Sequence, residues 1–391
     1  MKDPLMSTRP SFASHTPRPE IALLTLEFPP RIGGMQQYLF ELCRRLGNEC
    51  NLTVVHPTGD ALQFIEEPFQ LVSFAKDGSG RTSSRTQSSN PRGSGLRIIW
   101  RLARQLAKLR PHLTIVGHAH PRLLLLAAVH RGRYIALAYG NDFEAAQLRW
   151  HAPIFNRLLA NAHSLVTISH ANAQRLHDLG LPPPEILYPG THPDRFVPPA
   201  VPPAGPPVLL TVARLVNRKG IDTVLLSLPS LLDGSPDLQY WIVGIGPARA
   251  SLEQQAQELG VLHAVRFMEE VSDSELPEIY RRATVFVMPS RADYHAGSVE
   301  GFGIVYLEAS ASGLPVVAAK SGGAAEAVIE NQTGLLVPPD DPDALGHALN
   351  RLLSDAEMRL RFGRAGRKWV ESEMNWDRAG RQFLSIVERA L

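Results

Sequence analysis

Two carboxylates, Glu300 and Glu308, stand eight positions apart around a glycine-rich turn in Glu300-Gly301-Phe302-Gly303-Ile304-Val305-Tyr306-Leu307-Glu308. The apolar run after Gly303 reads as a helix start, where unpaired backbone N–H groups favour an anion. If the span were wholly helical, the two carboxylates would lie about 12 Å apart at roughly 1.5 Å per residue. That separation suits a sugar-diphosphate-ribose ligand. Glu300 would hold a sugar hydroxyl, the amides of Phe302, Gly303 and Ile304 would hold anionic oxygens, and Glu308 would bond a ribose hydroxyl. The plainer alternative makes Glu300 a complement to the helix dipole and Glu308 a surface residue. A second cluster, Arg214 and Lys219 in Val212-Ala213-Arg214-Leu215-Val216-Asn217-Arg218-Lys219-Gly220, follows a predicted strand, where ligands sit in open α/β sheets. Arg grips phosphate oxygens in a bidentate way and Lys acts as a point charge, so the pair fits a diphosphate.

Weaker signals accompany these. Gly33-Gly34 and Val243-Gly244-Ile245-Gly246-Pro247 are glycine turns after strands. They permit close approach to a phosphate or serve as ordinary tight turns, and neither has the dinucleotide-binding spacing. Asp341-Pro342-Asp343 has the letters of a metal site but precedes a helical run, which makes Asp341 an N-cap, and no metal is expected. His118 and His120 follow the strand 113–116, facing a ligand or forming part of the surface. Nothing resembles a Ser-His-Asp order or a nucleophile elbow.

The elements that must position these groups alternate. Short apolar runs at 21–26, 52–55, 71–74, 113–116, 134–138 and 165–168 predict a covered, mainly parallel sheet in the first half. Residues 198–207 hold six prolines in ten and cannot form a helix interior or central strand, so they read as a linker. Runs at 208–213, 240–243, 285–288, 316–318 and 335–337 then predict a second α/β domain. The periodic stretch 376–391 predicts a last helix that returns to the first domain. The expected division is a mobile tail at 1–19, a first domain at 20–197, the linker at 198–207, a second domain at 208–374 and the final helix at 375–391.

The chain has 391 residues, enough for two cores at roughly 150 residues each. Forty basic residues against 38 acidic ones, spread along the chain, give no nucleic-acid footprint. Two cysteines, Cys43 and Cys50, exclude a disulfide scaffold and suit the cytoplasm. No apolar run is long enough to span a bilayer. Residues 76–95, rich in Ser, Gly, Arg and Thr, predict a mobile loop leading into a helix with Arg97, Arg101, Arg104 and Lys108 at helical spacing. That helix is either a solvated basic face or a membrane-surface element.

With these residues in view, the chain resembles the retaining glycosyltransferases of family 4, which have the GT-B architecture. The carriers are Gly33-Gly34 with Tyr38, the segment from Tyr188-Pro189-Gly190 to Phe196, Arg214 with Lys219-Gly220, Gly244-Ile245-Gly246-Pro247, Glu300 to Glu308, and Ser321-Gly322-Gly323 with Glu326. The resemblance implies two Rossmann-like, doubly wound domains facing a cleft, with a UDP- or GDP-sugar held mainly by the second. The acceptor, a glycan, a lipid-linked glycan or a small molecule, would lie mainly on the first, near Tyr139, Asn141, Asp142 and His118. Arg214, Lys219 and Glu300 would serve the transfer, and Gly33, Gly34, Gly244, Gly246 and the Phe302 to Ile304 amides would approach the donor. The sequence departs from the family at Tyr139-Gly140, where many relatives carry His-Gly, and at Met268-Glu269-Glu270-Val271, where they commonly have a glycine near the base. Two rival readings are a nucleotide-sugar-binding regulator without transfer and a nicotinamide enzyme, the latter disfavoured by the missing fingerprint.

Overall fold

The computed structural model describes residues 17–29, 33–57, 64, 66–73, 94–130, 133–140, 142–143, 152–201, 203–269, 271–292 and 299–391. Residues 1–16 of the tail expected at 1–19, and residues 76–93 of the loop expected at 76–95, lie outside them. The chain divides into two compact units: Met1–Leu137 with His151–Val166 and Gly380–Leu391, and Ala138–Trp150 with Thr167–Ala379.

Strands β1 (Glu20–Leu24), β2 (Asn51–His56), β3 (Gln70–Ser73), β4 (Leu113–Val116), β5 (Arg133–Ala138), β6 (Ser164–Thr167) and β7 (Glu185–Ile186) make one sheet, ordered β3-β2-β1-β4-β5-β6-β7. Central β1 runs parallel to both neighbours, with Leu23 in register with Val54 and Ile115. Its residues Ile21 to Leu24 are all buried, the continuous apolar signature of a strand covered on both faces. The order reverses at β1 and β4, so the loops carrying Gly33 and His118 leave the sheet at its switch point.

The second sheet comprises β8 (Val208–Val212), β9 (Gln239–Val243), β10 (Val265–Met268), β11 (Val285–Met288), β12 (Val316–Ala319) and β13 (Gly334–Val337), ordered β10-β9-β8-β11-β12-β13 with every adjacent pair parallel. Alternation within the strands separates two cores. Leu209, Ile242, Val285 and Val317 pack under the helices Ile221–Gly234 and Pro342–Ser354. Leu210, Trp241, Phe286 and Val316 pack on the other face with Tyr280, Tyr306 and Leu307. The reversal here falls between β8 and β11, which aims the loops after those strands at one place.

Two strands were not among those expected. β10 is an edge strand whose Val265 and Phe267 reach the core while Arg266 is exposed, too few apolar residues to register as a run. β7 is only two residues long. The Pro-rich stretch 198–207 carries neither helix nor strand among its described residues. Asp341 is the N-cap it was expected to be, accepting from the Ala344 N–H at 2.8 Å. Both cysteines are free and buried.

Candidate active site

Leaving β8, the backbone passes Arg214, crosses a 3-10 turn at Asn217–Lys219 and reaches Gly220, whose left-handed φ of 70° starts the helix Ile221–Gly234. A side chain at Gly220 would strike the Pro289 carbonyl at 2.2 Å, so glycine lets this loop rest on the one after β11. Gly244 and Gly246 do the same on the other side. A Cβ at either would lie 2.1 to 2.2 Å from the Ala213 or Leu215 carbonyl. The two glycines thus have a packing duty, fixing the Arg214 loop against the loop after β9.

These contacts bring Lys219 and Glu300 together. The Lys219 Nζ donates to Glu300 Oε2 at 2.5 Å, and Arg218 Nη1 donates to the same oxygen at 2.6 Å. Glu300 and Lys219 are each only 8% exposed. Burial pushes the Glu300 carboxyl up, but the charges of Lys219 and Arg218 and their hydrogen bonds outweigh it and hold the group at about 2. Burial draws the Lys219 ammonium below its ordinary value, against the pull of Glu300. Two cations thus converge on one carboxylate oxygen, Lys219 buried and Arg218 partly so.

Arg218 was not singled out from sequence. It lies beside Lys219, and adjacent cations look alike until the 3-10 turn shows that both reach Glu300. Arg214 is exposed at the mouth of the loop, and its charge is felt at Lys219.

Glu300 precedes the helix rather than belonging to it. The helix spans Ile304–Ala311 with Gly303 at its N-cap in the left-handed region, φ 94°, so the 12 Å spacing for a wholly helical span does not apply. A Cβ on Gly303 would sit 3.8 Å from Glu300 Oε1, which puts the carboxylate close to the start of that helix. The Phe302 ring is core and packs on Tyr188 at 5.4 Å between centroids, leaving its backbone for the turn. Gly323 secures that turn: its N–H donates to the Glu300 carbonyl at 3.0 Å, and a Cβ there would lie 1.9 Å from the Gly301 oxygen.

Glu308 is buried, not on the surface, and accepts a hydrogen bond from the Tyr280 hydroxyl at 2.9 Å. Burial pushes its carboxyl up to about 7 despite that bond. Glu326 accepts from the His170 and Ala171 N–H groups, both at 2.8 Å, and from the Tyr188 hydroxyl at 2.9 Å. It pins the 3-10 segment Gly322–Ala327 to the start of the helix His170–Asp178.

The remaining expected residues are scattered. In the second unit, Tyr139 is buried, and the Asp142 Oδ1 accepts from the Tyr139, Gly140 and Phe143 N–H groups at 2.9 to 3.0 Å, which commits that oxygen to shaping its own loop. Asn141 lies outside the described residues. In the first unit, Gly33 and Gly34 are exposed at the start of the helix Gly34–Gly47, and a Cβ on Gly34 would meet nothing within 4 Å. His118 is buried 3.4 Å from the Thr25 hydroxyl; burial, with His120 and His56 nearby, lowers it to about 3, so the ring is neutral.

Residues 195–369 match the family described as Glycosyl transferases group 1, and residues 32–195 match Glycosyltransferase Family 4. The chain is 32% identical, over 93% of its length and 97% of the relative's, to the GDP-mannose-dependent alpha-(1-6)-phosphatidylinositol monomannoside mannosyltransferase of Mycolicibacterium smegmatis. It belongs to glycosyltransferase family 4. As a member of that family the protein is a glycosyltransferase, with two parallel-sheet Rossmann-like domains of the GT-B kind. Solved structures share the fold: sucrose-phosphate synthase from Thermosynechococcus elongatus superposes with a TM-score of 0.78 at 22% identity, covering 95% of this chain and 99% of that one. HepE of Anabaena, solved with UDP and glucose, gives 0.75 at 17% identity, covering 95% and 99%. The glycosyltransferase acts on a nucleotide sugar, and the Arg218, Lys219 and Glu300 cluster is its candidate catalytic centre.

Proposed function

We propose that the enzyme transfers mannose from GDP-mannose, with retention, to a lipid-linked or other glycan acceptor. The observation that carries this reading is the Arg218-Lys219-Glu300 cluster, two cations on one carboxylate just ahead of a helix start, suited to a diphosphate. The choice of donor is supported by the full-length likeness to a GDP-mannose-dependent relative. Lys219, Arg218 and exposed Arg214 neutralise charge growing on the departing diphosphate, the kind of preorganised electrostatics that usually contributes most. An oxygen of that phosphate takes the acceptor's proton as the new glycosidic bond forms on the same face. Glu300 fixes the donor sugar and Glu308 the ribose. The family resemblance further assigns Gly33, Gly34, Gly244, Gly246 and the Phe302 to Ile304 amides to the donor, and Tyr139, Asn141, Asp142 and His118 to the acceptor. Because two cations and a helix N-terminus supply the charge, the reaction needs no divalent metal.

Melting against a panel of nucleotides tests the donor. GDP and GDP-mannose at a hundred times Kd stabilise the fold by about 2.7 kcal/mol, UDP and ADP do so much less, and turnover with GDP-mannose is unchanged in EDTA. Transfer from a UDP-sugar with GDP-mannose inert overturns the donor assignment. Loss of activity in EDTA that magnesium or manganese restores overturns the metal-free mechanism.

The acceptor reading has its own support. On the helix Ser94–Leu109, Leu102 and Leu106 are buried, while Arg97, Arg101, Arg104 and Lys108 are exposed beside Trp100, itself 63% exposed. The Arg104 guanidinium lies 5.6 Å from the Trp100 ring. Among the described residues no helix is long and apolar enough to cross a membrane, so contact with a lipid acceptor is peripheral. Each basic residue near an anionic leaflet contributes about 1 kcal/mol. The enzyme therefore sediments with anionic vesicles at low salt and not with neutral ones. If changing Arg97, Arg101, Arg104 and Lys108 to Gln leaves that sedimentation unaltered, the helix is only a solvated basic face.

A further inference from the structure

Arg291, just past β11, has contacts that neither the fold nor the catalytic cluster accounts for. Its N–H donates to the Arg218 carbonyl at 2.8 Å, so it grips the backbone of the residue whose side chain binds Glu300. Its guanidinium forks. Nη2 donates to Asp222 Oδ2 at 2.7 Å, in the first turn of the helix that follows the cation loop. Nη1 donates to Asp340 Oδ1 at 2.6 Å and lies 3.4 Å from the Thr223 hydroxyl. Asp340 occupies the turn after β13 with a positive φ of 57°, a conformation side chains seldom adopt, and in it the carboxylate meets Arg291. One planar fork thus ties the loops after β8, β11 and β13 together.

We infer that Arg291 is a positioning residue for nucleoside diphosphate binding: it fixes the Arg218-Lys219 loop from behind, through Asp222 and Asp340, so that both cations meet Glu300 and the incoming diphosphate. Resting on the nucleotide-sugar reading of the same site, the inference adds a residue that touches no substrate. Stability is a poor explanation for the arrangement. Asp340 is 58% exposed and Asp222 33%, and ion pairs so open to water contribute little to folding. What two carboxylates on one guanidinium do supply is direction, because the fork is rigid where an ammonium is not. A small displacement of charges that act at close range is costly in binding even where the fold is intact.

A double-mutant cycle on GDP affinity, measured by calorimetry on the full chain, tests it. Arg291→Ala weakens GDP by about tenfold in the parent, with melting of the free protein lowered by only a few degrees. In an Arg218→Ala background the same change costs less than about twofold, because residues acting through a shared partner are not additive. Asp340→Asn, an exposed change that keeps the fold if Arg291→Ala does not, weakens GDP by about threefold and is likewise silent without Arg218. Equal losses in both backgrounds, or undiminished GDP binding in Arg291→Ala and Asp340→Asn, overturn the positioning role while leaving the nucleotide site in place. A parent that binds no nucleoside diphosphate overturns both.

Discussion

Lys219→Ala lowers turnover by about two to three powers of ten, the loss expected when one preorganised electrostatic donor is removed from a reacting site. Glu300 keeps Arg218 as a partner in that variant, so its buried charge is not abandoned and the fold survives. Arg218→Ala has an effect of similar size for the same reason, with Lys219 now the remaining partner. Arg214→Ala falls in the same direction but less steeply, by about tenfold, since its charge is exposed and screened by water. Steady-state rates with saturating donor, alongside melting curves, decide the matter. Near-parental turnover in both Lys219→Ala and Arg218→Ala would falsify the diphosphate assignment.

The two buried carboxylates of the candidate site, Glu300 and Glu308, make stability respond to pH in opposite senses. Glu300 has its folded value depressed from the ordinary 4.5 to about 2. Its contribution is complete above pH 4.5 and is lost as pH falls toward 2. Glu308 has its folded value raised from 4.5 to about 7, so the folded state prefers it protonated. Stability from that source is full below pH 4.5 and declines as pH rises through 7. Each swing amounts to about 3 kcal/mol at most. Glu308→Gln therefore melts several degrees above the parent at pH 8 and lacks the decline between pH 4.5 and 7, while transferring sugar more slowly. Its amide oxygen still accepts from Tyr280. Glu300→Gln melts below the parent at pH 7, with Lys219 and Arg218 left facing a neutral group, and loses much of its acid dependence below pH 4.5. A Glu308→Gln protein that melts at or below the parent at pH 8 contradicts the burial account.

What the sequence disclosed follows from what fixes each feature. Lys219 and Glu300 were legible because strand ends in parallel sheets collect ligands, and because a charge next to a glycine turn is a poor packing choice. Arg218 was not, since only the three-dimensional course of the 3-10 turn distinguishes it from a solvated neighbour. Glu308 was visible as a residue but not in its setting: the left-handed Gly303 starts the helix four residues after Glu300, and burial against Tyr280 is a tertiary fact. The six-proline stretch and the interior strands were plain from composition and apolar runs, whereas β10 was hidden by its half-exposed edge. Arg291 carried no local signal, because Asp222 and Asp340 approach it from distant parts of the chain.

The glycines at 220, 244, 246 and 323 let main chain lie directly on main chain, so no side chain is the first contact there to shrink or swell as a cushion. An engineer or an evolving lineage seeking a different donor has little freedom to reshape those loops one at a time. Insertions and bulky replacements at the four positions propagate from one strand end to the next. Altered preference must instead arise through side chains that project from the interlocked backbones, which makes the loop framework the durable part of this enzyme and its rim the adaptable one.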